Sequence, residues 1–159
     1  MTNASVVWDK PGIVGELERR FASGPLAVQS TRDEVPTVWI TPDRVRAVLS
    51  YLKKDVPQPY RMLYDLTAID ERLRQNRQGE PASDFSLVYH LLSFERNADV
   101  RIKVPLRGDT PSIRTMTDLW ANAKWYERET WDMFGIRFDD HPHLRRLLMP
   151  MMWEGHPLR

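Results

Sequence analysis

Glu127, Arg128, Glu129 and Asp132 crowd one short segment, between and beside Trp125 and Trp131, and are followed by Gly135, His141, Pro142, Arg145 and Arg146. Two chemistries are open to such a set. Carboxylates and guanidinium groups can pair and hydrogen-bond across an interface, or carboxylates and imidazoles can gather a metal ion. For the second, Asp139-Asp140-His141-x-His143 with Glu127, Glu129 and His156 offers enough donor atoms for zinc or manganese. Histidines two apart beside a proline match no established ligand spacing, however, and an acidic–histidine cluster in a loop is ordinarily solvated. Bound metal after purification would decide for it.

The first chemistry fits the pattern better. On a helical wheel Tyr126, Thr130, Met133 and Phe134 share one arc and face a core. Trp125 and Trp131 flank the other side, with Arg128 and Asp132 between them at i,i+4 spacing. A bland reading is a solvated ion pair worth a few tenths of a kcal/mol, beside half-buried tryptophans. Yet a helix that covers only its own core needs one apolar stripe and a solvated back. This one has bulky rings beyond the stripe and charges between them, as a helix clamped between two bodies would.

The elements that must position this helix read as one α+β domain. A first helix is expected from near Pro11 to Phe21, with Ile13, Val14, Leu17 and Phe21 on one face and Gly24 as its stop. Leu26 to Thr31 and Val35 to Ile40 read as short strands joined by Arg32-Asp33-Glu34. Thr41-Pro42-Asp43 reads as a helix start with a hydroxyl cap, ahead of the apolar face Val45, Val48, Leu49 and Leu52. Arg61 to Ile69 reads as a strand, and Glu71 to Pro81 as a polar surface excursion. Phe85 to Phe94 is apolar on both faces, as in a central strand. Val100, Ile102, Val104 and Leu106 alternate with polar neighbours, so the two form a hairpin around Asn97-Ala98-Asp99. Helical material is expected from about Thr115 to Phe134, with a break near Asn122 and Gly135 as its left-handed stop.

The sheet is expected to be mixed or antiparallel, with residues 1–135 forming the domain and 136–159 an extended, irregular, partner-binding tail. Leu144, Leu147, Leu148, Met149, Met151, Met152 and Trp153 crowd that tail without periodicity. Such a segment is a poor autonomous unit and should lie on another surface. Trp120, Trp125, Trp131 and Trp153 all fall near the C-terminal end, where large rings suit an interface.

Composition removes several classes. With 23 basic and 22 acidic side chains there is no general pull toward nucleic acid or anionic lipid. The absence of cysteine rules out disulfides, thiol nucleophiles and cysteine-held clusters within the sequence. No apolar run approaches a membrane span, and Met1–Ser5 lacks the basic region and apolar stretch of a secretory signal. No Gly-rich phosphate loop or nucleophile–base constellation is present. Arg72, Arg74 and Arg77, with Gln75, Asn76 and Gln78, carry a local positive excess that could touch nucleic acid. It reads better as a solvated loop or a contact to a neighbouring protein, and lack of salt-sensitive affinity for DNA or RNA would remove the alternative.

The run Glu127-Arg128-Glu129-x-x-Asp132-x-x-Gly135-Ile136-x-Phe138-x-x-His141-Pro142-x-Leu144-Arg145-Arg146 resembles the hallmark of the C subunit of respiratory NADH:quinone oxidoreductase, complex I, at fixed spacing. Val38-Trp39-Ile40, Asp84-Phe85-Ser86, Tyr89-His90-Leu91 and Trp153-x-Gly155-His156-Pro157-Leu158-Arg159 are similar to the bacterial form in which the C and D subunits are one polypeptide. In that form the polypeptide runs on past His-Pro-Leu-Arg. The end at Arg159 is therefore open to two readings, a boundary within a longer protein or an unfused C subunit.

The resemblance implies a core subunit of the peripheral arm, on the cytoplasmic face of the bacterial inner membrane, packed against the D subunit and the other quinone-module subunits. It implies an architectural role with no flavin, nucleotide or cluster in this chain; FMN and iron–sulfur clusters would sit in partner subunits. By motif position, Glu127, Arg128, Glu129 and Asp132 would enter inter-subunit ion pairs and hydrogen bonds. Arg145 and Arg146 would bind partner carboxylates or carbonyls, where a forked guanidinium outperforms lysine. Trp125, Trp131, His141 and Trp153 join this interface set, Gly135 ends the helix, and Pro142 fixes the exit path. Which charges cross to a partner and which close the domain internally stays open at this level.

Overall fold

The computed structural model describes residues 12–22, 27–77 and 79–159. Its order is α1 (Ile13–Arg20), β1 (Ala27–Gln29), β2 (Thr37–Trp39), α2 (Val45–Lys54), β3 (Met62–Asp70), β4 (Phe85–Ser93), β5 (Ala98–Leu106), β6 (Ser112–Arg114), α3 (Ala123–Phe134) and β7 (Arg137–Asp139). The expected first-turn proline Pro11, the stop Gly24 and the strand start Leu26 lie outside the described residues.

Five strands form one sheet in the order β1-β2-β5-β4-β3. All neighbours are antiparallel except β2 and β5, so the sheet is mixed. The β4–β5 hairpin pairs Phe85 with Leu106 through to Ser93 with Ala98. Its turn lies slightly before the expected position, because Asn97 takes the left-handed conformation (φ 49°) and Ala98 and Asp99 already belong to β5. Alternate residues Phe85, Leu87, Tyr89 and Leu91 of β4 and Val100, Ile102, Val104 and Leu106 of β5 enter one hydrophobic core. Ile13 and Leu17 of α1, Val45, Val48, Leu49 and Leu52 of α2, and Ala123 and Phe134 of α3 join the same core. Since the strands contribute only alternate residues to it, all three helices pack on one face of the sheet.

Strand β3 is an edge strand, and α3 closes it. A bulge at Tyr64 inserts one extra residue between Leu63, opposite Leu91, and Asp65, opposite His90. That insertion returns Leu66 to the same core face as Leu63, three positions apart. Free carbonyls along this edge accept from Trp120 Nε1 (to Arg61 O, 3.0 Å), Asn122 Nδ2 (to Leu63 O, 2.9 Å) and Tyr126 Oη (to Tyr64 O, 3.0 Å). An exposed ladder edge is thereby covered.

Four local expectations are corrected. Thr41 does not cap α2 with its hydroxyl; the buried Oγ1 has no hydrogen-bond partner, and the Thr41 carbonyl instead accepts from Arg44 N and Val45 N. Residues 115–122 form turns rather than helix, so α3 starts only after Asn122. The excursion after Glu71 lies on the surface, but its arginines are spent on acids of the same segment. Arg72 pairs with Asp70, Arg74 with Glu71 and Glu80, and Arg77 with both glutamates. Finally, residues 136–139 are not tail. Arg137–Asp139 pairs in parallel with Ser112–Arg114, and Ile136 and Phe138 are fully buried in the core.

Candidate functional site

Helix α3 carries the charged cluster, and its two sides are used differently. Thr130 and Phe134 are buried, and Tyr126 packs half-buried beside them, on the side that meets the sheet. Thr130 donates back to Tyr126 O at 2.8 Å, so its hydroxyl needs no external partner. The other side is covered by the chain's own C-terminal segment. The second body that clamps this helix is thus intramolecular.

Arg128 and Asp132 do not pair with each other despite their i,i+4 spacing. Arg128 lies over the Trp125 ring at 5.0 Å and donates Nε to Arg145 O (3.1 Å) and Nη2 to Arg146 O (2.9 Å). Asp132 is fully buried. Its Oδ1 accepts from Arg146 Nη1 (2.7 Å), and its Oδ2 accepts from the backbone N–H of Leu147 (2.9 Å), Leu148 (2.8 Å) and Met149 (2.9 Å). Burial alone would push this carboxyl up, but the donors Met149 N, Arg146, Leu147 N and Leu148 N hold it below the usual carboxylate range. Arg146 is a second hub: Nη2 donates to Trp153 O (2.6 Å) and Gly155 O (2.9 Å), and its guanidinium lies 5.8 Å from the centre of the Trp131 ring.

The end of α3 completes this attachment. A helix leaves its last carbonyls without internal partners. Here Asp132 O accepts from His156 Nδ1 (2.9 Å), Met133 O from Leu158 N (3.0 Å) and Phe134 O from Arg159 Nε (2.5 Å). Gly135 takes the left-handed conformation (φ 73°), and its N–H closes the helix on Trp131 O at 2.7 Å. Its lack of a side chain matters for a second reason: a Cβ there would stand 2.6 Å from His156 Cδ2 and 2.8 Å from Arg159 Nη2. His-Pro-Leu-Arg therefore seats on the bare glycine.

Glu127 faces inward as well. Its buried carboxylate accepts from Met116 N (2.6 Å) and from the Thr115 hydroxyl, and burial raises it to about 7. His141 Nε2 lies 3.9 Å from it and donates to Lys124 O at 3.0 Å, while His141 Nδ1 accepts from His143 N. One ring nitrogen accepting and the other donating fixes a neutral imidazole, in keeping with burial lowering its proton affinity.

Glu127, Arg128, Asp132, Gly135, His141 and Arg146 are thus engaged within the chain. Trp131 is half-buried against His156. What faces outward is Trp125 (56% exposed), Glu129, Pro142, Arg145 and Trp153, with Leu148, Met151 (79%), Met152 (88%) and Leu158. The supposed metal ligands do not converge: Asp139 and Asp140 lie at the surface near Arg137 and Arg114, and His156 is turned onto the helix end. Among the described residues no three histidine, aspartate or glutamate side chains are placed to share a metal ion. Thr115, Met116 and Arg159 act at this site although nothing in the local pattern gives them a role there. Their partners are 11 to 25 residues away, beyond any local spacing rule.

Residues 38–159 match the family described as respiratory-chain NADH dehydrogenase, 30 Kd subunit. The chain belongs to that family. It is 57% identical to the C/D subunit of NADH-quinone oxidoreductase from Psychrobacter arcticus over 94% of its own length and 25% of the relative's. The corresponding protein of Nitrosospira multiformis is 56% identical, over 92% of this chain and 26% of the relative. The chain therefore spans about a quarter of the length of these relatives. Among solved structures, a trypsin-resistant fragment of Nqo5 shares the fold, with TM-score 0.70 and 24% identity over 82% of this chain and 96% of that one. A chain of the archaeal membrane-bound sulfane sulfur reductase, a respiratory membrane complex, shares it at TM-score 0.62 and 22% identity, over 89% of this chain and 74% of that one.

Proposed function

We propose that this chain is a structural part of the peripheral arm of NADH:quinone oxidoreductase and carries no redox centre. It holds the quinone-module subunits together, chiefly the D portion, from the cytoplasmic face of the inner membrane. FMN and iron–sulfur clusters belong to its partners. The name shared by its relatives supports the complex, and one observation supports the role. A crest of Leu148, Met151, Met152 and Trp153 is exposed, yet the backbone on both sides of it is tied to α3 through Asp132, Arg146 and His156. Exposed apolar side chains on a firmly anchored loop suit a partner's surface, since ordering the loop costs little upon binding. Of the described residues, no helix is long and apolar enough to cross a membrane, so attachment to the membrane would come through the assembly.

Within this reading the motif residues divide. Glu127, Arg128, Asp132 and Arg146 shape the crest from inside, whereas Trp125, Glu129, Arg145 and Trp153 meet the partner. The test is a pair of outward variants, Met152→Glu and Trp153→Ala, in the native protein. Both should fold normally but recover fewer dehydrogenase subunits on affinity purification. Unchanged recovery and unchanged quinone-reductase activity would assign the crest to something other than this interface.

A further inference from the structure

Glu127 sits at the joint between three elements, and its surroundings have an unusual property. The carboxylate is wholly buried in α3, and its one near neighbour able to carry positive charge, His141, is held neutral by its own hydrogen bonds. Asp118, from the turn before α3, adds negative charge nearby, and Tyr89 of β4 presents a buried hydroxyl that has no hydrogen-bond partner. On the far side of His141 lie Lys124 and Arg128 of α3 and His143. Arg46 reaches in from α2, but its guanidinium is taken by Asp118 and by Thr115 O at 3.3 Å. A buried carboxylate with two donors and no cation favours the protonated form.

A path for that proton is present. The Thr115 hydroxyl has a single hydrogen and two acceptors in reach, Glu127 Oε2 and Thr117 Oγ1, the latter at 3.1 Å. Thr117 is only partly buried and opens toward solvent. We infer that Glu127 is a proton-exchange site served by a hydroxyl relay, Thr117–Thr115–Glu127, that reverses its hydrogen bonds when the carboxyl is protonated. In the ionised state Thr117 donates to Thr115 and Thr115 donates to the carboxylate. A proton delivered to Thr117 Oγ1 by an acid in solution displaces the Thr117 hydrogen to Thr115 Oγ1, and the Thr115 hydrogen to Glu127 Oε2. The acid keeps its conjugate base, one proton has entered, and no heavy atom has moved. All three hydroxyl groups now donate outward: Glu127 to Thr115, Thr115 to Thr117, and Thr117 to water. The position near neutral at which burial sets this carboxyl means that both states are populated under ordinary conditions. Because Arg46 ties the same turn to α2, the charge state of Glu127 is felt where α2, the 115–118 turn and α3 meet.

The inference stands apart from the assignment to a respiratory complex, and its test reads the proton directly. The full 159-residue chain, labelled with 13C at the glutamate side-chain carboxyl, is titrated by NMR, and Glu127 is assigned from the resonance missing in Glu127→Gln. Its midpoint should lie near neutral pH. Thr115→Val removes a donor to the charged form and should raise that midpoint; Thr117→Val removes the acceptor that the protonated form needs and should lower it. Each displacement should be about one pH unit, or tenfold in proton affinity. Thr115→Ser, which keeps the hydroxyl, should restore the original midpoint. A midpoint in the ordinary carboxyl range, or displacements of the same sign in the two valine variants, would overturn the relay.

Discussion

Asp132 is the most exacting place to perturb this structure. In Asp132→Asn the side chain keeps its shape but loses its charge and one of its two acceptor oxygens. If the remaining oxygen faces Leu147, Leu148 and Met149 N–H, the new NH2 group meets Arg146, donor against donor. Flipped, it meets the three backbone donors instead. Removing one partner of a buried, hydrogen-bonded pair costs roughly 3–5 kcal/mol, and since one acceptor set survives here the lower end applies, about 3 kcal/mol. That is about a hundredfold in the folding equilibrium. Urea unfolding followed by tryptophan fluorescence measures it, and limited trypsinolysis locates it. Releasing Arg146 from Asp132 should expose the Arg145–Arg146 site to rapid cleavage. Because hydrogen bonding holds the folded Asp132 carboxyl below its unfolded value, its stabilisation is present above about pH 4 and fades as pH falls. The gap between wild type and variant should therefore close in acid. A loss under about 0.5 kcal/mol with unchanged cleavage would mean that Asp132 does not anchor the C-terminal segment.

Other consequences are as definite. Gly135→Ala must take a left-handed φ and push a methyl group into His156 and Arg159, so it should destabilise by more than the roughly 1 kcal/mol of conformational preference alone; a smaller loss by thermal unfolding would show that the segment gives way freely. Tyr89→Phe deletes a buried hydroxyl without a partner and should be neutral or stabilising by about 1 kcal/mol in urea unfolding; a clear loss would reveal a bond from this hydroxyl, most simply to Glu127. Glu127 has the opposite pH sign to Asp132. Its folded carboxyl, at about 7, lies above the ordinary 4.5, so its contribution is complete below that lower value and is lost as pH rises through 7. The full swing is about 3 kcal/mol, and Glu127→Gln should flatten it; an unaltered stability–pH slope in that variant would exclude Glu127 as the source.

Long, strongly patterned elements were legible in the sequence. The alternation of Val100, Ile102, Val104 and Leu106 and the spacing of Val45, Val48, Leu49 and Leu52 each reflect one buried face, and β5 and α2 follow them. Gly135 was legible too, because few other residues accept its conformation. Strands β6 and β7 were not, since three residues carry no period, and Phe138 read as part of a tail although it lies in the core. The charged cluster misled in an instructive way. Arg128 and Asp132 sit at the right spacing to pair, but backbone carbonyls and N–H groups from residues 145–149 satisfy both more fully. Those partners come from a segment whose path no local rule specifies, so the division between charges that close the domain and charges that face outward appears only in three dimensions.

The most direct measurement is affinity purification of the tagged native protein from its own membranes in mild detergent, with cross-linking and mass spectrometry. A scaffold of the peripheral arm should bring down flavin- and cluster-bearing dehydrogenase subunits, with cross-links from the 148–153 crest to the D portion. Recovery of the protein with none of those subunits would contradict the proposed role.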